Sequence, residues 1–325
     1  MRFNNEYRTV MPTVLVTGAS GFVGQNLIRS LVRRRYKVKA YSRQPHQARS
    51  ETENREIDWV TGDLFNKERL LSACQGVDIV FHAAGIAHAG ARNKDEAFQV
   101  NVFATQSVYD ASAASGAKTF VFFSSILADQ EHDTPYVQSK LAAEKFLLSS
   151  SASTGTQVVI LRPANVYGVA MRGNISTFIK LARKGILPAL PKVDGSLSMI
   201  SVQDLCDAAI ILATQDHDLK QPPIYPITDG RSYSVNEIED IVYSALGKRK
   251  PRFTLPRQAF FVASILMQTL NSLGILRNAA GVELYKNVMG IRAREAHNEK
   301  FPYGILSTTS LETEMPKIIA GICEE

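Results

Sequence analysis

The chain has 325 residues, a net charge of +6, 45% hydrophobic residues and 21% charged residues. This composition excludes a disordered or fibrous chain, and the length suits one large α/β domain or two smaller ones. Three scattered cysteines, Cys74, Cys206 and Cys323, lack the number and spacing of a disulfide framework or a metal site. We therefore expect reduced thiols, no metal and a cytoplasmic location.

Neither end of the sequence predicts membrane insertion. Residues 1–11 are polar, lack the apolar core of a secretory signal, and are expected to be a flexible extension. The longest apolar stretch, residues 259–267, is too short to span a bilayer. A basic run between Arg29 and Lys39 predicts a solvated helix end and strand edge, although an anionic nucleotide would also suit it. No nucleic-acid motif accompanies this run, so no nucleic-acid partner is expected.

The first strong pattern is a strand, a glycine turn and a helix. Residues 14–16 are apolar and strand-like, Gly18, Gly21 and Gly24 follow, and apolar residues then recur at helical spacing over residues 23–32. In a dinucleotide-binding unit such glycines allow the tight turn, the approach of a pyrophosphate, and close helix–strand packing. The helix N-terminus then faces the phosphates. Glycines that serve only the shape of a turn are the alternative interpretation.

The end of the second predicted strand bears on the choice of cofactor. Residues 37–41 predict this strand, and Ser42 and Arg43 follow it. An acidic residue here would hold the ribose 2′-hydroxyl of NAD, whereas an arginine can accept the 2′-phosphate of NADP. The sequence therefore favours NADP over NAD, unless Arg43 is an ordinary loop charge.

Further strands are predicted over residues 57–60, 77–81, 119–123 and 158–161, with helices over residues 67–74 and 95–115. This alternation predicts an α/β fold with a doubly wound parallel sheet of the Rossmann type. Ligands of such sheets bind at the carboxyl ends of the strands. Accordingly, the glycine turn, residues 82–85 and residues 124–125 should line one crevice, with His82 in a structural role.

Tyr136 and Lys140 are predicted to share one face of a helix that Pro135 opens. An ammonium beside a tyrosine stabilises the phenolate and lowers its pKa. With a serine hydroxyl opposite, this pair can exchange a proton with a carbinol while hydride moves to or from a nicotinamide. The spacing alone also arises by chance on helices. After a strand that ends in Ser124 and Ser125, it is a strong signal.

Together these motifs resemble the extended short-chain dehydrogenase/reductase family, in its nucleotide-sugar epimerase, dehydratase and 4-ketoreductase branch. The resemblance runs through nearly the whole chain from Pro12 and includes the stretches at residues 62–64, 82–85 and 161–168. It implies that Tyr136 is the catalytic acid–base, that Lys140 also orients the nicotinamide ribose, and that Ser125 is the catalytic serine. The implied cofactor-binding residues are Gly18, Ser20, Gly21, Phe22, Val23, Gly24, Ser42, Arg43, Asp63, Leu64, Ala83, Ala84, Gly85, Asn101, Ser124, Tyr136, Lys140, Pro163 and Val166.

The resemblance also implies a division into domains. Residues 12–170, with residues 197–228 returning to them, would form the NAD(P)-binding Rossmann domain. Residues 171–196 and 229–325 would form a smaller substrate-binding domain, which includes an apolar helix from Gln258. Ser125, Asn165 and Asn174 are the implied substrate-binding residues, and Asn174 is also a candidate helix N-cap.

The implied reaction is hydride transfer at C4 of a UDP-sugar, by a 4-epimerase or a 4-keto reductase, in polysaccharide precursor synthesis. Such enzymes often form homodimers, here through helices at residues 95–115 and 135–150. Two departures concern the substrate: Leu197 stands where many members carry an arginine, and residues 127–129 lack the usual Val-Tyr-Gly. Arg292 or Arg294 is the candidate for a later phosphate-binding arginine. A reductase of a small or steroid-like ketone or aldehyde, and a non-catalytic NADP-binding sensor, are the alternatives.

Overall fold

The computed structural model describes residues 11–44, 57–86, 98–129, 134–185, 187–192, 195–217, 222–254 and 307–324. The chain forms two compact units, of which the first contains residues 1–162 and 205–225 and the second contains residues 163–204 and 226–325. Relative to the division expected above, residues 163–170, 197–204 and 226–228 group with the second unit instead of the first. Residues 1–10 of the extension predicted over residues 1–11, the helix from Gln258, and Arg292 and Arg294 lie outside the described residues.

A seven-stranded sheet dominates the first unit, in the order β3-β2-β1-β4-β5-β6-β9. Its strands are β1 (Thr13–Thr17), β2 (Lys37–Ser42), β3 (Ile57–Thr61), β4 (Ile79–His82), β5 (Thr119–Phe123), β6 (Gln157–Pro163) and β9 (Ile224–Ile227). Every pair from β3 through β6 is parallel. The strand order reverses between β1 and β4, which confirms the predicted Rossmann-type fold. In folds of this type, ligands bind at the carboxyl ends of the strands on either side of the reversal.

The central strands β1, β4 and β5 are buried almost throughout, as expected where both faces of a parallel sheet are covered. Its helices are α1 (Phe22–Arg33), α2 (Lys67–Cys74), α3 (Ala104–Ala114), α4 (Pro135–Thr154) and α6 (Val202–Ala213). One face packs against α2, α3 and α4 in a core that excludes water. Its larger members are Leu15, Leu70, Val80, Tyr109, Phe120, Phe122, Leu147 and Ile160.

The helix that carries Tyr136 and Lys140 begins and ends where its sequence dictates. The Thr134 hydroxyl accepts a hydrogen bond from the Val137 N–H at 3.3 Å, and Pro135 occupies the first helical position. Gly155 ends the helix with φ of 75°, a conformation that glycine adopts without strain. The predicted spacing of Tyr136 and Lys140 on α4 is thereby realised.

A smaller sheet and three helices make up the described part of the second unit. The sheet has the order β10-β8-β7, from β7 (Asn165–Tyr167), β8 (Ser196–Ser201) and β10 (Ser232–Ser234). The helices are α5 (Asn174–Lys184), α7 (Val235–Ala245) and α8 (Leu311–Glu324). The Asp204 carboxylate fixes the start of α8 by accepting hydrogen bonds from the Thr308 hydroxyl at 2.8 Å and the Thr309 N–H at 3.2 Å.

Two local predictions are corrected by the backbone. Within the stretch predicted as one α-helix over residues 95–115, residues Gln99–Phe103 form a π-helix and only Ala104–Ala114 are α-helical. Asn174 is not an N-cap, because Gly173 caps α5 and Asn174 is the first helical residue. At α7 the Ser234 hydroxyl caps the helix by accepting the Glu237 N–H at 3.1 Å. None of the described helices is long and apolar enough to cross a membrane.

Candidate active site

The glycine turn between β1 and α1 has no room for a side chain at Gly18 or Gly24. Gly18 has φ of 68°, and a Cβ at this position would lie 2.6 Å from the Ala84 nitrogen. A Cβ at Gly24 would lie 2.2 Å from the Gly18 oxygen, so helix and turn are in close contact. The Gly21 N–H donates to the Gly18 oxygen at 2.9 Å and closes the turn.

This turn suits the pyrophosphate of a dinucleotide. Gly21 caps α1 without any side-chain hydrogen bond, which leaves the first N–H groups of the helix uncovered by a capping side chain. A helix N-terminus of this kind attracts phosphate through its N–H groups and its dipole. The neighbouring Ser20 is exposed, while Phe22 and Val23 are partly buried. The residues predicted to surround the pyrophosphate are therefore adjacent in the structure and fit a nicotinamide dinucleotide.

The residues predicted to meet the adenosine lie after two adjacent strands at the same edge. The Tyr41 carbonyl accepts the Ala19 N–H at 3.3 Å, so the end of β2 adjoins the glycine turn. Arg43 is exposed beyond β2, whereas Ser42 is buried and its hydroxyl donates to the Gln44 carbonyl at 2.5 Å. Asp63 and Leu64 follow β3, and the Asp63 carbonyl accepts the Tyr41 hydroxyl at 2.9 Å. Arg43 and Asp63 are both exposed at this edge, and Arg43 is the cationic one.

His82 is fully buried on β4 and links this strand to β1 and α3. Its Nδ1 lies 2.7 Å from the Thr17 hydroxyl and its Nε2 lies 3.0 Å from the Thr105 hydroxyl. Because Thr105 donates its own proton to the Asn101 carbonyl at 2.8 Å, Nε2 donates to Thr105. Burial lowers the pKa of His82 to about 3, so the imidazole is neutral near pH 7 and its Nδ1 accepts from the Thr17 hydroxyl. The geometry agrees with the predicted structural role.

The low pKa of His82 makes the folded state sensitive to acid. Below about pH 6.5 the unfolded chain binds a proton at this histidine that the folded chain does not bind until about pH 3. Stability is therefore present above pH 6.5 and declines as the pH falls through this window. We expect the free energy of unfolding, measured in urea, to drop by about 1.4 kcal/mol between pH 7.5 and 5.5 from this group alone.

The variant His82→Gln should remove most of this pH dependence, although its stability at neutral pH will also be lower. His217→Gln is the matched control, because His217 bonds only the Leu212 carbonyl among its described partners, at 2.7 Å. An undiminished pH dependence in His82→Gln would show that His82 is not the responsible group.

Ser125, Tyr136 and Lys140 are brought together at the carboxyl end of β5. The Tyr136 hydroxyl shares a hydrogen bond with Ser125. Lys140 is buried and its Nζ donates to the Phe123 carbonyl at 2.7 Å. Burial lowers the pKa of Lys140 to about 8, against the opposing effect of Glu144. A lysine with this pKa changes its charge near neutral pH.

The sequence predicts that Lys140 lowers the pKa of Tyr136, and the structure does not show this effect. The pKa of Tyr136 is raised, because burial disfavours the phenolate more than the hydrogen bond from Ser125 favours it. Lys140 directs its ammonium to the backbone of Phe123 and does not lower this pKa. The assignment of the three residues as catalytic stays a prediction, while their proximity is observed.

Asn101 joins this site from the π-helix and is almost completely buried. Its Nδ2 donates to the Ser139 hydroxyl at 3.0 Å, and its Oδ1 accepts the Ile86 N–H at 2.8 Å. A Cβ at Gly85 would lie 3.0 Å from Asn101 Oδ1 and 3.4 Å from Lys140 Nζ. Asn101 therefore holds residues 85–86 against the site, and π-helices are often found at functional positions.

The sequence analysis assigned no role to two charged residues that adjoin the site. Glu144 is buried on α4, and Arg162 on β6 binds both of its oxygens, with Nε at 3.1 Å from Oε1 and Nη2 at 2.7 Å from Oε2. The Ser124 hydroxyl also donates to Oε1. Losing one partner of such a buried pair typically costs about 3–5 kcal/mol. The available signal was the spacing, since Glu144 follows Lys140 by four residues on the same helix face.

Four of the predicted cofactor- and substrate-binding residues belong to the second unit. Pro163 ends β6, and Val166 pairs with Ile200 in the small sheet. Asn165 is exposed and its Nδ2 donates to the Ser198 carbonyl at 3.0 Å. Asn174 opens α5. Among the described residues no group of His, Cys, Asp or Glu side chains could hold a metal ion.

Comparison with known proteins identifies a matching family model and several similar proteins. The model of the NAD dependent epimerase/dehydratase family matches residues 14–228. The chain is 28% identical to a UDP-glucose 4-epimerase from Vibrio cholerae, over 77% of this chain and 80% of that protein. It is equally 28% identical to a 3-beta-hydroxysteroid dehydrogenase from Mycolicibacterium neoaurum, over 75% of this chain and 73% of the relative.

Among solved structures, the fold is similar to that of a UDP-N-acetylglucosamine 4-epimerase from Methanobrevibacter ruminantium, in complex with UDP-N-acetylmuramic acid. The TM-score is 0.72 at 19% identity, over 97% of this chain and 99% of that one. This likeness concerns the fold alone.

Proposed function

Because this chain belongs to the NAD dependent epimerase/dehydratase family, we propose that it is an oxidoreductase that transfers hydride at the carbinol carbon of a nucleotide-activated sugar. The observation that supports this most directly is the Ser125–Tyr136 hydrogen bond beside the buried Lys140. These groups follow β5, at the sheet edge where the glycine turn follows β1. Proton-transfer groups and a dinucleotide cradle at one edge are what carbinol oxidation or ketone reduction requires.

In this proposal each side chain has one task. A bound nicotinamide supplies or accepts the hydride. Tyr136 donates a proton to the carbonyl oxygen of the substrate during reduction, or removes it from the carbinol during oxidation. Ser125 bonds the same substrate oxygen and holds the Tyr136 hydroxyl towards it. Lys140, whose ammonium is held at the Phe123 carbonyl, would orient the nicotinamide ribose.

We infer NADP as the preferred cofactor, because β2 ends in Ser42 and the exposed Arg43 rather than an acidic residue. Arg43→Ala should weaken NADPH binding by about tenfold or more and NADH binding by less than about twofold. The basis is that a hydrogen bond to a charged group is worth about 1.5–3 kcal/mol. Fluorescence titration with both nucleotides measures this difference.

Arg33→Ala is the matched control, because Arg33 is equally exposed but ends α1, the opposite end of that helix from the glycine turn. Tightly held NAD that survives purification, or equal NADPH affinity in Arg43→Ala and the wild type, would contradict the NADP preference.

A UDP-sugar is the first substrate class to test, since the family includes UDP-sugar epimerases among the relatives of this chain. A small or steroid-like ketone is the second candidate. It is favoured by Leu197, an apolar residue of β8 that pairs with Tyr233 where nucleotide-sugar enzymes often carry an arginine. We also propose a homodimer, through α4 and the helix that precedes β5.

The deciding experiment supplies UDP-glucose, UDP-N-acetylglucosamine and a 3-hydroxysteroid in turn, each with NAD or NADP. Nuclear magnetic resonance follows the sugar or steroid, and absorbance follows the nicotinamide. An epimer formed without net change of the nicotinamide indicates an epimerase, and stoichiometric nicotinamide turnover indicates a reductase or dehydrogenase. Turnover of the steroid alone would favour the second candidate, and cofactor binding without any turnover would overturn the enzymatic proposal.

A further inference from the structure

The loop that carries Ser125 is held by contacts on both sides. Its first anchor is Phe123, whose carbonyl accepts the Lys140 ammonium at 2.7 Å. Its second anchor is the Ser124 N–H, which donates to the Leu161 carbonyl at 2.7 Å. The Ser124 hydroxyl forms the third contact, to Glu144. On the other side, the Ser125 hydroxyl accepts the Leu127 N–H at 3.3 Å and its carbonyl accepts the Ala128 N–H at 2.9 Å. On the side of β5, the position of Ser125 depends on Ser124, the residue before it.

Glu144 is well suited to hold that residue. Its side chain is 3% exposed, and Arg162 fixes both carboxylate oxygens in a two-pronged contact. A carboxylate held in this way cannot rotate without breaking two charge-assisted hydrogen bonds. The Ser124 hydroxyl therefore donates to a carboxylate oxygen whose position is fixed. Glu144, which carries this oxygen, lies one helical turn after Lys140 on α4.

We propose that Glu144 is a positioning residue for hydride transfer, which holds Ser124, and with it Ser125, at the place where Ser125 bonds the Tyr136 hydroxyl. The inference rests on the proposed function only for its catalytic consequence. The geometric part concerns one hydrogen bond, between Ser125 and Tyr136, and can be measured without a substrate.

The test uses Ser124→Ala, which removes the hydroxyl and leaves the ion pair between Glu144 and Arg162 intact. Glu144→Gln is the second variant, since its amide still fills the site but no longer offers two carboxylate oxygens to Arg162. Glu239→Gln is the matched control. Glu239 is also fully buried and paired with a cation, Lys250, at 2.8 Å, but it lies in the second unit.

The first readout is the titration of the phenol at position 136. 3-Fluorotyrosine in place of Tyr136 has a more acidic phenol, and fluorine resonance follows its ionisation within the pH range of the folded protein. The hydrogen bond from Ser125 lowers the pKa of Tyr136. Losing it should move the titration midpoint upwards by about half a pH unit or more in Ser124→Ala and Glu144→Gln. Glu239→Gln should leave the midpoint unchanged.

The other polar groups shown near Tyr136 and Lys140 are the same in all three variants. They are Ser125 at Tyr136, and His82 on β4 and Asn101 on the π-helix near Lys140. Lys140 itself changes its charge near neutral pH, and Glu144 raises its pKa. A shift that occurs in Glu144→Gln and not in Ser124→Ala would therefore trace to Lys140 and would overturn the proposal.

The second readout is kcat, once a substrate has been found. Ser124→Ala and Glu144→Gln should each lower kcat by about tenfold with little change in KM, and the double variant should be no slower than Glu144→Gln alone. If the reductions in kcat of the two single variants instead multiply in the double variant, Glu144 does not act through Ser124, and the proposal is overturned. If the titration shifts while no substrate is turned over, the positioning stands and the proposed function fails.

Discussion

Tyr136→Phe is expected to lower kcat by about 10²–10⁴-fold, the range over which a positioned acid–base group contributes to catalysis. The variant removes only the hydroxyl that bonds Ser125, so the glycine turn and Arg43 remain available to the dinucleotide. The affinity for NADPH should therefore change by less than about threefold. Steady-state kinetics on the substrate identified above, together with nucleotide titration, measures both quantities.

Tyr109→Phe provides the matched control for this experiment. The Tyr109 hydroxyl is also engaged, at 2.7 Å from the Thr154 hydroxyl, but it lies between α3 and the end of α4. Its removal should cost about 1 kcal/mol of stability and leave kcat unchanged. Full turnover in Tyr136→Phe would exclude Tyr136 as the acid–base and would leave the fold as a dinucleotide-binding protein with another role.

Gly18→Ala is expected to abolish nucleotide binding and to destabilise the fold. The new Cβ would lie within 2.7 Å of backbone atoms of Ala83 and Ala84, where a flexible side chain cannot move aside. The positive φ of Gly18 adds about 1–2 kcal/mol, and the overlap typically adds about 1–3 kcal/mol. We expect NADPH affinity to fall by more than about 100-fold, because the turn must shift away from the helix N-terminus.

Gly76→Ala separates the two causes. Gly76 has φ of 67°, nearly that of Gly18, but a Cβ there would meet nothing within 4 Å. In urea unfolding, Gly76→Ala should lose only the stability that a positive φ costs an alanine. Its nucleotide affinity should equal that of the wild type. Equal behaviour of the two variants would mean that the contact between Gly18 and Ala84 does not shape the cofactor site.

The parts of the site that could be predicted from sequence are those that depend on local spacing. Gly18, Gly21 and Gly24 lie on one continuous strand–turn–helix segment, and Tyr136 and Lys140 lie on one helix. Parallel strands then bring their carboxyl ends to one edge, so Ser125 could be placed near both groups without knowledge of any side-chain contact.

The remaining features depend on contacts between distant segments. The Ser124–Glu144–Arg162 network joins β5, α4 and β6, and no local pattern in the sequence predicts which residue faces which. The raised pKa of Tyr136 reflects the depth of its burial, which spacing does not report. Similarly, residue type alone favours Asn174 as the N-cap of α5. The observed cap is Gly173, whose φ of 103° suits glycine, and residue type does not report this backbone conformation.

The division into two units has a consequence for the order in which the protein is made. The first unit is complete only with residues 205–225, although residues 163–204 of the second unit are synthesised before them. Ribosomes deliver the chain from its N-terminus at about 5–20 residues per second. The segment with Tyr136 and Lys140 thus emerges seconds before α6 can cover its sheet. During that interval, apolar strands of the nascent chain remain uncovered, which is the condition under which folding intermediates aggregate.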